Sequence, residues 1–263
     1  MLRFPGKQAH SVPIDGLPSF CFTVCMKKSA RFLLLFCVLA AAVCPPSFSQ
    51  EQITTVDTFF SSVSDVYAGL SDYSANIAIS YGSSSSGEEM TGRVIYKSPN
   101  LMRIDFISPA DQTIVFDGNV LTVYLPAPYN AVLTQAVEEP SDGDSPAGGA
   151  SLATPGGLSL MRRYYSIAYE TGPDPVPLEE GSRVRVIALS LTRRSTAEMF
   201  RTIRLLVDPR TRLIRRIQAE TITGATIRFT FSDYSLNQGI PDTRFVYDSP
   251  SSANVYDNFL FNE

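Results

Sequence analysis

Few residues in this chain could carry covalent chemistry, and their placement narrows the choice quickly. Neighbouring hydroxyls at Ser61 and Ser62, and in the run Ser83 to Ser86, are the right side chains for nucleophilic attack. A serine hydroxyl is weakly reactive without an adjacent base, and the only histidine among the 263 residues is His10. All four cysteines, Cys21, Cys25, Cys37 and Cys44, also lie in the N-terminal part. Asp105 and Asp117 would serve as an acid and base pair only if folding brought them together, whereas a strand and a tight turn explain them singly. Asp142 and Asp144 resemble a weak calcium pair, but solvated linker charges account for them better.

The N-terminal part reads as a leader. Met26 begins MKKSARFLLLFCVLAAAVCPPSFSQ, with Lys27, Lys28 and Arg31 ahead of an apolar run from Phe32 to Val43 and small Ser47 and Ser49 before Gln50. That is the pattern of a secretory signal peptide, and the run is shorter than the roughly 20 residues of a spanning helix. Residues 1–25 hold three prolines and no periodicity, and are read as an upstream mis-assigned start, so residues 1–49 are expected to be absent from the mature protein. A competing reading makes Cys44 a lipidated anchor, but Val43 is bulky where small residues are wanted and Pro45 follows directly.

Removing the leader excludes whole classes of function. The remaining chain has neither thiol nor imidazole, which leaves out disulfides, Cys or His nucleophiles and nearly all zinc sites. No catalytic residue, metal or cofactor is implied. The leader takes five basic and one acidic residue from the 22 and 26 of the full chain, leaving 17 against 25 and a net charge of −8. A surface of that sign suits neither nucleic acid nor an anionic membrane.

The positioning elements are legible from periodicity. Ile53, Val56, Phe60, Val63, Tyr67 and Leu70 recur at three- and four-residue spacing, predicting an amphipathic helix capped by Thr54 or Thr55. Stretches 74–81 and 92–97 predict a hairpin joined by a glycine and serine loop. Met102, Ile104 and Phe106 then alternate with Arg103, Asp105 and Ile107, residues 113–116 resume the pattern, and Asp117-Gly118-Asn119 is a tight-turn signal before a strand over 120–125. A short strand is expected at 130–137, a flexible acidic insertion at 138–157, and a short helix carrying Leu158, Met161, Tyr164 and Tyr165. Further strands are predicted at 184–191, 201–207, 213–219 and 227–232.

The fold class is therefore mainly β, an α+β arrangement in which a curled antiparallel sheet is covered by two helices. Met102, Ile104, Phe106, Ile114, Phe116, Ile203, Leu205, Val207, Ile227, Phe229 and Phe231 share its inward face.

The run YKSPNLMRIDFISPADQTIVFDGNVLTVYLP, residues 96–126, is similar to the periplasmic lipoprotein carriers of the LolA family and the wider outer-membrane lipoprotein sorting group. The likeness rests on Lys97, Pro99, Asn100, Asp117, Gly118, Tyr124 and Pro126, in order and without gaps, and on FRTIRLLVDPRTRLIRRIQA and IPDTRFVYDSP, which fit the family's closing strands. It extends over nearly all of 50–263 and implies an incomplete barrel of about eleven strands with a helical lid over a hydrophobic cavity. The implied function is periplasmic and non-enzymatic. The carrier shields the acyl chains of triacylated lipoproteins on their way from an inner-membrane ABC transporter complex to an outer-membrane acceptor, acting as a monomer with no nucleic acid involved. The alternative is a lipid- or glycolipid-binding protein, or an anchored lipoprotein receptor, on the same fold.

Residue by residue, the resemblance makes Met102, Ile104, Phe106, Ile114 and Ile203 cavity lining, joined from the inward pattern by Phe116, Leu205 and Phe229, with Phe60, Val63 and Met161 as lid contacts. The family's lid-fastening arginine falls on Ser98, where Lys97 or Arg103 stands near enough to substitute, although Lys97 alternates away. The family's tryptophans are absent, with Ile104 and Thr122 at positions where aromatics are common.

Overall fold

The computed structural model describes residues 54–82, 89–137 and 153–258. The leader, the Ser83 to Ser86 run, Asp142 and Asp144, and most of the expected insertion lie outside the described residues. Helix α1 spans Val56–Ala68, with the Thr55 hydroxyl accepting the Thr58 N–H at its start and Gly69 at its end. Strands β1 (Asp72–Gly82), β2 (Glu89–Lys97), β3 (Leu101–Ser108), β4 (Thr113–Phe116), β5 (Val120–Leu125) and β6 (Ala131–Ala136) follow. Helix α2 (Pro155–Tyr164) leads directly into β7 (Tyr165–Tyr169), then β8 (Val176–Pro177), β9 (Arg185–Arg193), β10 (Phe200–Val207), β11 (Ile214–Thr221), β12 (Thr226–Leu236) and β13 (Asn254–Asp257).

The strands form one unclosed sheet in the order β13-β6-β5-β4-β3-β2-β1-β12-β11-β10-β9-β7, with β8 also paired to β9. All pairs are antiparallel except β13 on β6. The sheet therefore has thirteen strands rather than about eleven. Helix α2 begins at Pro155, inside the stretch expected as flexible insertion, because Thr154 caps it and proline suits the first helical turn. Tyr165 belongs to β7 rather than to that helix. The segment IPDTRF is also not a closing strand, for residues Asp242–Phe245 form a single 3-10 turn.

Register places the alternating residues on one face. Tyr73, Tyr96, Met102 and Phe116 are cross-strand partners, as are Ala75, Val94, Ile104 and Ile114, and the concave face they form meets α1 and α2 in one apolar core. Gly92 sits in this floor opposite Ile77 and Phe106, where an added Cβ would fall 2.4 Å from the Asp105 carbonyl oxygen, so no larger residue fits between β2 and β3. Gly118 adopts φ +101, as the tight turn requires.

The convex face carries a strap. After β12, the backbone N–H groups of Gln238, Gly239 and Ile240 all donate to the buried carboxylate of Asp72 at the start of β1. The chain then crosses β2 to β5. Lys97 donates to the Ile240 carbonyl and pairs with Asp242, Arg103 donates to the Arg244 carbonyl, and Tyr247 lies against Tyr124 with ring centroids 6.0 Å apart. Ile95, Val115 and Val132 are buried on this outer side, away from the main core, and β13 ends the crossing on the free edge of β6.

Burial pushes the Asp72 carboxyl up, but the three backbone donors together with the Ser71 hydroxyl outweigh it and hold the group below its ordinary 3.8. A depressed carboxyl contributes stability above that value and loses it as the pH falls through the folded pKa. Asp72→Ala, which orphans three donors, is expected to lower unfolding stability by about 1–3 kcal/mol at neutral pH and to flatten the acid limb below ~pH 4, measured by denaturant titration at several pH values.

Candidate lipid-binding face

The concave face is the one large apolar surface on which the sequence-derived residues converge. Met102, Ile104, Phe106, Ile203, Leu205, Phe229, Phe60, Val63 and Met161 are all buried in one cluster, with Ile114 and Phe116 half-buried against it. Val207 and Phe231 join the cluster, and Ile227 packs on it. Phe60 and Val63 come from α1 and Met161 from α2, each projecting at helical spacing onto the sheet. Every expected site residue therefore belongs to, or packs against, the one apolar core that the helices share with the sheet.

Cover is uneven. The wall continues through the register row Ile104, Ile114, Val123, Leu133 and through Phe116 and Leu121, but Val123, Leu133 and Leu121 are only half-buried and stand outside the main cluster. These three were not among the expected residues. Alternation in 120–125 carried the signal, but only pairing with β4 shows which of its faces extends the wall.

Where α1 meets β1, β2 and β12 the core is tyrosine-rich. The hydroxyls of Tyr67 and Tyr234 are 3.2 Å apart; Tyr67 accepts the Ile214 N–H, and Tyr234 donates to the Ile214 carbonyl at 2.8 Å. Tyr73 donates to the Ala153 carbonyl just ahead of α2, and Tyr96 to the Pro99 carbonyl. Burial pushes the Tyr67 hydroxyl up to about 12, and Tyr73 and Tyr234 well above the ordinary 10. These are neutral hydroxyls with satisfied bonds, so they fix this part of the core without offering an acid or base at neutral pH.

The residues first considered for chemistry have structural partners. The Ser62 hydroxyl donates to the Phe59 carbonyl, and Ser61 accepts from Arg162 of α2. Asp105 is bound by Arg103, and Asp117 accepts the N–H groups of Asn119 and Val120 within its turn. The two carboxylates share no site.

No protein-family profile matches the chain. Curated relatives do: the outer-membrane lipoprotein carrier protein of Pseudomonas putida strain GB-1 is 26% identical over 171 residues, 64% of this chain and 72% of the relative. Its counterpart in Pseudomonas fluorescens strain Pf0-1 is 25% identical over 174 residues, 66% and 75% of the two chains. The chain is similar in sequence to outer-membrane lipoprotein carriers. Among solved structures, a LolA superfamily protein from Nitrosomonas europaea aligns at 12% identity and TM-score 0.37, covering 73% of this chain and 98% of the other. The lipoprotein LppX of Mycobacterium tuberculosis aligns at 12% identity and TM-score 0.42, covering 70% and 98%.

Neither suggested stand-in fastens the helices. Lys97 and Arg103 both project from the convex face onto the C-terminal strap, because odd positions of β2 and β3 near Ser98 alternate away from the helices. Ser98 is exposed, and its backbone N–H donates to the Ser71 carbonyl. The arginine that does hold α1 is Arg212, in the turn between β10 and β11. Its Nε–H donates to the Ser62 hydroxyl at 3.0 Å, and its guanidinium lies 4.7 Å from the centre of the Phe59 ring. The turn is shaped for this, with Arg212 at φ +60 and bonded to the Asp208 and Pro209 carbonyls. Tyr169 of β7 adds a bond to the Thr54 carbonyl and a ring contact with Phe59.

Removing this clasp is expected to loosen the helix rather than the sheet. Arg212→Ala should lose about 1–2 kcal/mol of local stability, seen as roughly tenfold faster amide exchange across residues 56–68 with strands β1 and β12 unchanged. Equal acceleration in sheet and helix would remove Arg212 from this role.

Proposed function

We propose that the protein binds the acyl chains of lipoproteins on its concave face and carries them between the inner and outer membranes of a cell envelope. The observation that carries this reading is an apolar wall that shares one core with two helices and is only half-buried along Ile114, Val123, Leu133 and Leu121. A buried CH₂ is worth roughly 0.8 kcal/mol, so an exported acyl chain needs such a wall to cross water. A packed lid then sets how tightly the cargo is held, since apolar contacts between α1, α2 and the sheet compete with contacts to the chain. Similarity to curated outer-membrane lipoprotein carriers supports lipoprotein as the cargo. The leader reading supports export to the periplasm, and among the described residues no helix is long and apolar enough to cross a membrane. Transfer of cargo between an inner-membrane transporter and an outer-membrane acceptor belongs to the same proposal. Binding and release need no bond made or broken, so no catalytic residue is assigned.

Two measurements test it. Val123→Asp puts a charge on the half-open wall without cutting into the packed core, and is expected to weaken a fluorescent acyl probe by about 10–100-fold, whereas Val184→Asp, on the link into β9, stays near wild type; equal affinities would place the chain elsewhere. Mass spectrometry of the purified protein should find a triacylated peptide. Free phospholipid or glycolipid alone would move the protein to the lipid-binding alternative.

A further inference from the structure

Antiparallel order sends alternate turns to opposite ends of the sheet. The end of β1, the turns at 109–112, 126–130, 194–199 and 222–225, and the junction of α2 with β7 share one rim, whereas the turns at 69–71, 98–100, 117–119 and 208–213 share the other. Exposed apolar side chains are divided unevenly between them. Tyr81 (59% exposed), Ile107 (73%), Tyr129 (70%), Met199 (51%) and Ile222 (56%) stand at or beside the first rim, one for each successive strand end or turn. Among the described residues the four turns of the second rim carry no large exposed apolar side chain, and Val184, on the link into β9, is the exception at that end.

The first rim is also basic over the part built by α2 and β9 to β11. Arg194 donates its N–H to the Tyr164 carbonyl and reaches the Arg163 carbonyl at 3.3 Å, while Arg201 reaches the Ile222 carbonyl at 3.3 Å. Arg162, Arg163, Arg194 and Arg201 are exposed there beside Met199 and Ile222. Glu220 is taken up by Arg201, and Glu198 is buried. This local charge is opposite to that of a chain with 26 acidic and 22 basic residues.

We propose that this rim docks on an anionic phospholipid surface. Apolar tips spaced one per turn among arginines suit shallow insertion between headgroups, each tip reaching the acyl boundary while guanidinium groups stay at phosphate level. A protein partner would be better served by a contiguous apolar patch. The rim also opens onto the concave wall, for Tyr81 pairs with Ile227 and Ile79 with Met90, and both Ile227 and Met90 are half-buried against the core. A chain leaving the bilayer would meet these residues first. The surface adds a membrane to the carrier reading and can fail separately from it.

Co-sedimentation with vesicles of phosphatidylglycerol and phosphatidylethanolamine, against phosphatidylcholine alone, tests the proposal, with all variants made in one background. Because the chain has no tryptophan, Met199→Trp supplies a fluorescence reporter at the rim. Expected are binding to the anionic vesicles that weakens with added salt, a blue shift of the reporter, about five-fold weaker binding for each of Arg163→Ala and Arg194→Ala, and about ten-fold weaker for Met199→Ser with Ile222→Ser. Val184→Ser should match wild type, and thermal melts should confirm that every variant folds. Absence of vesicle binding, or equal binding by rim variants and wild type, overturns the proposal. So does a requirement for the same residues only in holding an acidic protein. Acyl-probe affinity in vesicle-free solution should be unchanged in the rim variants, which keeps failure of the rim distinct from failure of the concave face.

Discussion

Pairing of β1 with β12 is the constraint on which the rest of the structure depends. It joins Tyr73–Gly82 to Thr226–Leu236 and so welds two meanders, one from β2 to β6 and one from β7 to β11, into a single curved wall. Ile77 opposite Phe231 and Ile79 opposite Phe229 place the inward rows of both halves in line. A one-residue slip would turn every apolar side chain of one half to the outside, so the concave face exists only in this register. The partners are more than 140 residues apart, which makes the weld a costly closure to reach during folding.

Most of the wall could be read from the sequence, because its strands are buried on one side and alternate accordingly. Met102, Ile104, Phe106, Ile203 and Leu205 all fell where alternation put them. What alternation misses are elements whose burial has no period of two. β13 is exposed along its whole length, and β8 is two residues long. The strap from 238 to 250 is held by polar contacts to Asp72, Lys97 and Arg103, which no hydrophobic pattern announces. Thr154-Pro155 did carry a helix-start signal, but low-complexity residues around it hid the signal. Arg212 was illegible for another reason, since its contact with Ser62 spans 150 residues and depends on a turn with positive φ.

The cover and the wall are held by forces of different kinds. Sheet strands are locked by backbone pairing, which is insensitive to what lies on the concave face. The helices are held by apolar packing and by a few side-chain bonds, from Arg212, Tyr169 and Tyr73, between Tyr67 and the Ile214 N–H and Tyr234 hydroxyl, and between Arg162 and Ser61. Under the proposed function, a lipid chain would replace the first contribution but not the second. In the proposed exchange of helix for acyl chain, the polar bonds would therefore weigh on which state is favoured. Those bonds reach β1, β7, β11, β12 and the turn between β10 and β11, and among the described residues none of them reaches the half-open stretch over β4 to β6.

An unclosed sheet ordinarily offers two rows of unpaired backbone groups to any passing strand. Here the row beside β6 ends in the four residues of β13, running parallel to its neighbour, and the row beside β9 ends in the five of β7. Stubs of that length give a second copy little to pair with. The C-terminal segment that carries β13 therefore shortens the unpaired row at the β6 side to four residues, a limit on edge-to-edge pairing that leaves the sheet unclosed.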